Sequence, residues 1–378
     1  MREGWEVKKI DEVCDNLDNQ RIPITKNKRI EGAIPYYGAS GIVDYVKDYI
    51  FDEDLLLVSE DGANLLARTY PIAFSISGKN WVNNHAHVLK FDNMDSQKYI
   101  EYYFNSIKLD DYISGMAQPK LNQKMLNSIL IPIPPLPEQK QIVKTLDLVF
   151  KQIDQAKANL EKNLANAKEL FASKLNEVFS QKGEGWEEKK LGDLCKTGSG
   201  GTPLKSKKEY YDNGTIPWLC SGEVKQGDIY KSKKYITEIG FKNSSAKLFP
   251  SDTVLIAMYG ATAGEVGILR FESSTNQAIC GILPNDKLLP KFIYYSFLFR
   301  KKELIAQATG NAQPNISQIK IKNTLIPLLE KSKQINIIEL LDNLQNNIDF
   351  IQTHYQQNLN NLEELKKSIL EKAFKGEL

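Results

Sequence analysis

GWEVKKIDEVC (residues 4–14) returns as GWEEKKLGDLC (residues 185–195), an offset of 181. Later in each half, AQPKLNQ (117–123) returns as AQPNISQ (312–318), now at an offset of 195. At this second offset IPIP from Ile131 meets IPLL from Ile326, Asp147 meets Asp342, and the Ile-Asp pair 153–154 meets 348–349. IPYYG (34–38) has a looser counterpart in IPWLC (216–220). The change of offset places extra residues in the interior of the second copy. A repeat this long is a domain duplication, because solenoid repeats run to only about 20–50 residues. Each copy reads as one globular segment followed by one long helical segment.

The helical segments carry the clearest periodicity. After IPIPPLP (131–137), which is extended because proline disfavours helix at the residue before it, apolar residues recur at Ile142, Leu146, Val149, Ile153, Ala156, Leu160, Ala167 and Phe171. Steps of four and three make this a heptad stripe, interrupted by Asn163. The second copy carries Ile337, Leu341, Leu344, Ile348, Ile351, Tyr355, Leu359, Leu362 and Ile369. At 1.5 Å per residue, the roughly 40 residues from Glu138 to Phe179 make a rod of about 60 Å. An amphipathic surface helix accounts for either stripe alone. Helices this polar outside one stripe need a partner, and the matched stripes predict an intramolecular antiparallel pair.

The globular segments read as mixed α/β. LLLVSEDGA (55–63) and TVLIAMYG (253–260) have the pattern of short buried strands ending at glycine turns. YIEYYFNSI (99–107) and KFIYYSFLFRKKELIAQA (291–308) read as aromatic-rich helices, the first of them ambiguous with strand. The chain has 378 residues, enough for two cores, and 49 basic against 47 acidic side chains exclude a bulk polycation that coats nucleic acid. Charge is nevertheless unevenly shared: residues 1–137 carry 15 basic and 19 acidic groups, whereas residues 185–330 carry 20 and 14. Four dispersed cysteines, at 14, 195, 220 and 280, form neither a disulfide framework nor a C-x-x-C site. The charged start, residues 1–10, and the lack of any run of 18 apolar residues lead to the expectation of a cytoplasmic protein without a membrane partner.

Several motifs in this order resemble those of the specificity, or DNA sequence recognition, subunit of Type I restriction-modification systems. They are GWE near the start of each half, GSGGTP (198–203) followed by GTIPWL (214–219), GNAQPNIS (310–317), and IPIPPLPEQKQI (131–142) opening the first long helix. The resemblance implies target recognition domains at 1–137 and 185–330, and helical spacers at 138–184 and 331–378. The first half has CDNLDNQRIPI (14–24) where the family pattern places GxGGTP, and the second spacer opens with LLEKSKQI. The expected fold is thus mixed α/β, two similar globular domains separated by two long helices packed as an antiparallel coiled coil. The implied partners are double-stranded DNA, two copies of an adenine methyltransferase subunit, and restriction or motor subunits. S-adenosylmethionine, ATP and Mg²⁺ would then serve the partners, with no cofactor bound by this chain.

Physical reasoning reaches a similar function. Two diverged modules held apart by a rigid rod touch two separated, unequal stretches of one duplex, whose helical turn is about 34–36 Å. Base reading is expected from polar side chains on module loops, because amides pair with adenine and hydroxyls or lysines meet phosphate. In the second module these are Ser221, Lys233, Lys234, Tyr259, Thr262, Asn276 and Gln277; in the first, Tyr36, Tyr37, Arg68, Lys79, Asn83, Asn84 and His85. The competing readings are packing for the two tyrosines, turn capping for Asn83 and Asn276, and a plain surface histidine for His85. The helix-pair positions are Ile142, Leu146, Val149, Ile153 and Leu160 against Ile337, Leu341, Leu344, Ile348 and Ile351. GSGGTP lacks the Gly-Lys-Ser/Thr of a phosphate loop and reads as a shaping turn, and GATAG (260–264) is not G-x-G-x-x-G. Three histidines and four scattered cysteines give no metal motif. The expected chain is a noncatalytic adaptor; a coiled-coil scaffold without DNA reading and an enzyme with an unfamiliar active site are the alternatives.

Overall fold

The computed structural model describes residues 2–115, 118–181, 186–308 and 315–378. The repeated AQP passages and Gly185 of the second GWE lie wholly or partly outside these. By contacts the chain divides into two units, residues 1–161 with 354–378, and residues 162–353.

In the first unit, the opening repeat motif forms strand Glu6–Lys9, which pairs antiparallel with Leu130–Ile133, so the start of the module is hydrogen-bonded to its end. Between them lie two four-stranded sheets. One orders Asp15–Asn16, Ala86–Lys90, Leu55–Ser59 and Ala73–Ile76; the other orders Gly41–Val46, Glu31–Gly38, Lys79–Val82 and Phe51–Asp52. Leu55 to Ser59 are all buried, the pattern of a strand covered on both faces. The ambiguous aromatic segment is helix Met94–Ser106, capped by the Asn93 side chain. Tertiary burial of Tyr99, Ile100 and Phe104 on one face outweighs the β-propensity of its tyrosines.

The second unit repeats the plan. Glu187–Lys190 pairs with Leu325–Leu328, and the pairing of Trp218 with Ser274 in parallel strands matches that of Tyr36 with Trp81. Its larger sheet orders Thr197–Ser199, Ile279–Ile282, Val254–Ala257, Val266–Leu269 and Gly227–Ile229; the smaller orders Tyr235–Ile236, Ile216–Leu219, Ser273–Thr275 and Leu248–Phe249. The aromatic helix is Pro290–Ala306, with proline in the first turn, where its missing N–H costs nothing.

Each long helix spans 45 residues, Leu136–Ser180 and Lys331–Lys375. Within the first unit they run antiparallel: Lys366 covers the Phe150 ring, Lys157 pairs with Glu363, and Tyr355 donates to Glu161, so numbering rises on one helix as it falls on the other. Ile142, Leu146, Ile153, Leu341 and Ile348 are buried, while Val149, Leu160, Ile337, Leu344 and Ile351 are half-buried. Leu370 and Phe374 at the end of the second helix enter the core of the first module, where Phe374 meets the edges of Tyr99 and Tyr103. At the same repeat positions, Leu175 and Phe179 at the end of the first helix enter the core of the second module. Each helix therefore begins on one module and ends on the other.

Candidate nucleic-acid interface

Both modules anchor their long helix with the same side chains. Tyr102 donates to Asp147, and Tyr295 donates to Asp342, the two aspartates matched by the repeat. Burial pushes both tyrosine hydroxyls well above their ordinary range, and the bonded carboxylates add to it, so both remain donors. Gln139 donates to the Pro134 carbonyl at 2.8 Å, and its repeat equivalent Gln334 donates to Leu329 at 2.8 Å.

In the second module, GSGGTP is a shaping turn. The Gly201 amide is spent on Thr275 and the Gly200 amide on Ile279, so neither of these glycine N–H groups is free to cradle an anion. A Cβ on Gly200 would lie 2.1 Å from the Thr275 carbonyl, so the close approach demands glycine. The Trp218 indole donates to Gly201 at 2.9 Å, and the Tyr211 hydroxyl to Pro203 at 2.5 Å. This turn is also fastened to the Asn276–Gln277 loop, because the Thr202 hydroxyl donates to the Gln277 side-chain oxygen. Lys234, Asn276 and Gln277 therefore share one pocket of about 420 Å³ with Lys205, Tyr211 and Trp218. Lys233 and Lys234 are exposed, and neither has a carboxylate partner among the described residues. Their loop is held by Glu223, a buried carboxylate that accepts from the Cys220 and Lys233 amides, each at 2.9 Å. Glu223 is a positioning residue that sequence reasoning missed; its only signal was an acidic residue three positions after Cys220.

Ser221 opens the short helix Ser221–Gln226 beside this loop. Tyr259 is 39% exposed and bridges to Asn315, but the Thr262 hydroxyl is turned back on the Tyr259 carbonyl. Neither lines the pocket.

The first module requires corrections. Tyr36 is 1% exposed, its hydroxyl accepts from the Ile24 amide, and Arg29 covers its ring, so it packs inside the module, the competing reading for it. Tyr37 is half-buried against Phe74. The Arg68 guanidinium donates to the Phe104 and Ile107 carbonyls and so finishes the helix Met94–Ser106. Asn83 is buried and accepts from the His85 amide, a turn-forming role. These side chains are consumed locally because a loop must first satisfy its own buried polar groups. Lys79, Asn84 and His85 remain exposed; Lys79 lies over the Tyr49 ring and His85 Nδ1 is 2.8 Å from Asp61.

Beneath that loop sits a network that no motif announced. His87 places Nδ1 2.5 Å from Asp18 and Nε2 2.7 Å from the Leu121 carbonyl. Arg21 lies 2.6 Å from Glu60, whose other oxygen is 3.1 Å from Lys120. Asp18, Glu60 and His87 hold metal-type donor atoms within 4.8 Å of one another. Arg21 and Lys120 already supply the positive charge, so the group is an ion-pair network tying residues 18–21 to the module's core.

Two modules of one plan, each seated on the long helices and each with its own polar loops, define a duplicated recognition protein. The chain belongs to the family described as Type I restriction modification DNA specificity domain, whose model matches residues 2–165 and 183–361. It is a DNA-recognition subunit of that class. It is 30% identical over 359 residues to the Haemophilus influenzae protein named "Putative type I restriction enzyme specificity subunit S.HindORF215P", covering 92% of this chain and 91% of that one. Its fold matches a chain from "Structural basis underlying complex assembly and conformational transition of the type I R-M system", with TM-score 0.77, 18% identity and coverage of 100% and 99%. It also matches the HsdS subunit from Thermoanaerobacter tengcongensis, with TM-score 0.62, 17% identity and coverage of 100% and 98%. Among the described residues no helix is long and apolar enough to cross a membrane.

Proposed function

We propose that this subunit reads an asymmetric, bipartite DNA target, one block per module, and brings adenine methyltransferase subunits to it in the cytoplasm. The observation that carries the reading is that the two modules share strand pairings and helix anchors while their loops differ, Asn84–His85 beside Asp61 in one and Lys233–Lys234 beside Asn276–Gln277 in the other. Equal frames with unequal loops contact unequal base sequences. The repeated Tyr–Asp and Gln anchors at the start of each long helix support two equivalent docking faces, and hence two copies of the methyltransferase subunit. The chemistry belongs to partners: S-adenosylmethionine to the methyltransferase, ATP and Mg²⁺ to the restriction and motor subunits. This chain supplies position. The test is sequencing of methylated adenines in DNA exposed to the chain with its methyltransferase subunit. Two specified blocks at a fixed interval are expected. A continuous palindromic site refutes the bipartite reading, and unselective methylation by an assembled complex favours the scaffold alternative.

A further inference from the structure

The pocket beneath the second module's GSGGTP turn has an unusual hydrogen-bonding balance. Asn276 accepts the Ala278 amide on its side-chain oxygen at 3.2 Å, and an N–H can meet only that oxygen. Gln277 accepts the Thr202 hydroxyl on its own oxygen. Each oxygen is thus turned to an internal donor, and the NH₂ groups are the ends that remain wholly available. Lys205 and Lys234 add two ammonium groups without carboxylate partners among the described residues, and no carboxylate lines the pocket. Both lysines act on the Cys220 thiol, yet burial outweighs them and pushes it upward, so the thiol contributes no negative charge. The Tyr211 hydroxyl is occupied by Pro203, and the Trp218 indole by Gly201. The pocket therefore presents donors and positive charge, with each amide oxygen already engaged once by an internal donor.

That balance favours an anion over the base edge expected of Asn276 and Gln277. Bidentate recognition of adenine needs the amide oxygen to accept from N6 while the NH₂ donates to N7. Each oxygen already takes one internal donor and keeps a single lone pair, and the two ammonium groups beside them favour an anion over a donor such as N6. A concave pocket also suits a group that projects from the duplex, whereas a base edge inside the major groove is met by a protruding element.

We infer that this pocket is a phosphate clamp: Lys205, Lys234 and the amides of Asn276 and Gln277 hold one backbone phosphodiester of the DNA at the second module's block. The clamp rests on the DNA-recognition function proposed above and assigns these side chains to register and affinity instead of base identity. It also separates the glycines' role from that of a phosphate loop, since side chains and not the loop amides meet the anion.

The experiment measures binding of the full chain, in complex with its methyltransferase subunit, to its mapped target and to an unrelated duplex across a salt series. The variants are Lys205→Gln, Lys234→Gln, Lys234→Arg and Asn276→Asp; the last keeps the oxygen that Ala278 needs and removes the donors. Lys234→Gln and Asn276→Asp are expected to weaken both duplexes by the same factor. Each lysine removed lowers the slope of log affinity against log salt by about 0.9, and Lys234→Arg retains it. A single neutral methylphosphonate linkage at the clamped position weakens the wild type and leaves Lys234→Gln unchanged. Relaxed discrimination at one base pair with an unchanged slope would assign the pocket to base reading and overturn the clamp. Wild-type-like binding by every variant overturns it too. If the wild type itself prefers no sequence, the failure lies in the recognition function, and that is visible before any variant is compared.

Discussion

Glu223 and Asp18 show how single buried carboxylates set the loops of the two modules. Glu223 accepts two backbone amides, that of Cys220 and that of Lys233 ten residues after Glu223 itself, and a hydrogen bond to a charged group is worth about 1.5–3 kcal/mol. Glu223→Ala is expected to lower the stability of the second unit by about 2–4 kcal/mol, measured by urea unfolding, with Glu223→Gln intermediate because it keeps one acceptor. Burial raises the carboxyls of Asp18 and Glu60, but His87 with the Val88 amide and Arg21 outweighs it for Asp18, and Arg21 and Lys120 outweigh it for Glu60. Both end below their ordinary range. A depressed folded-state value means that the unfolded chain binds the proton more tightly. The stabilisation is complete above the unfolded carboxylate range, at about pH 4, and is lost as pH falls through the lower folded values. Thermal melts between pH 2.5 and 7 should show this acid limb, and Asp18→Asn should flatten it while lowering stability at neutral pH. An undiminished limb in the variant would remove Asp18 from the account.

At the scale of elements, the start of each long helix is fixed by a glutamine that recurs with the repeat but does unequal service. Gln139 makes one bond, to Pro134, whereas Gln334 donates to Leu329 and Lys287 and accepts from the Leu289 amide. Removing it leaves three backbone groups in need of partners. At about 1 kcal/mol per bond, Gln334→Ala should cost about 2–4 kcal/mol and Gln139→Ala about 1 kcal/mol, compared by chemical denaturation. Equal losses would mean that the extra bonds carry no net energy. The second long helix lacks the PPLPEQ opening of the first, and the tethering of Gln334 to residues 287–289 compensates physically by binding the helix start to the loop before Pro290–Ala306.

At the scale of the chain, residues from both of its ends meet within the first unit. The end of the second long helix returns to the first module, where Arg2 donates to the Gly376 carbonyl at 3.1 Å and pairs with Glu138. Gly376 has φ +74°, the left-handed region that favours glycine, and Trp5 lies beside it. A permuted chain that begins at Trp186 and ends at Gln181, with a short flexible linker joining residues 378 and 2, should keep the same circular dichroism spectrum and methylate the same sequence with its partner. Loss of target recognition by a folded permutant would show that the native connection at 181–186 is required.

The duplication, the two heptad stripes and the recognition family were legible in the linear chain, because periodicity and repetition are properties of residue order; the extended reading of IPIPPLP (131–137) holds only to Pro135, since the helix starts at Leu136 and takes Pro137 into its first turn. The polar site was legible only in part. Lys233, Lys234, Asn84 and His85 were named on type and stayed exposed, but Tyr36, Arg68 and Asn83 turned inward, since hydrogen-bond satisfaction depends on neighbours brought from distant segments. The same dependence hid the partnership of Thr202 with Gln277, 75 residues apart, which turns the amide oxygen toward the GSGGTP turn. Which helix end enters which module was likewise decided in three dimensions: Leu175 and Leu370 occupy matching places in the repeat, and only the folded core assigns each to its module.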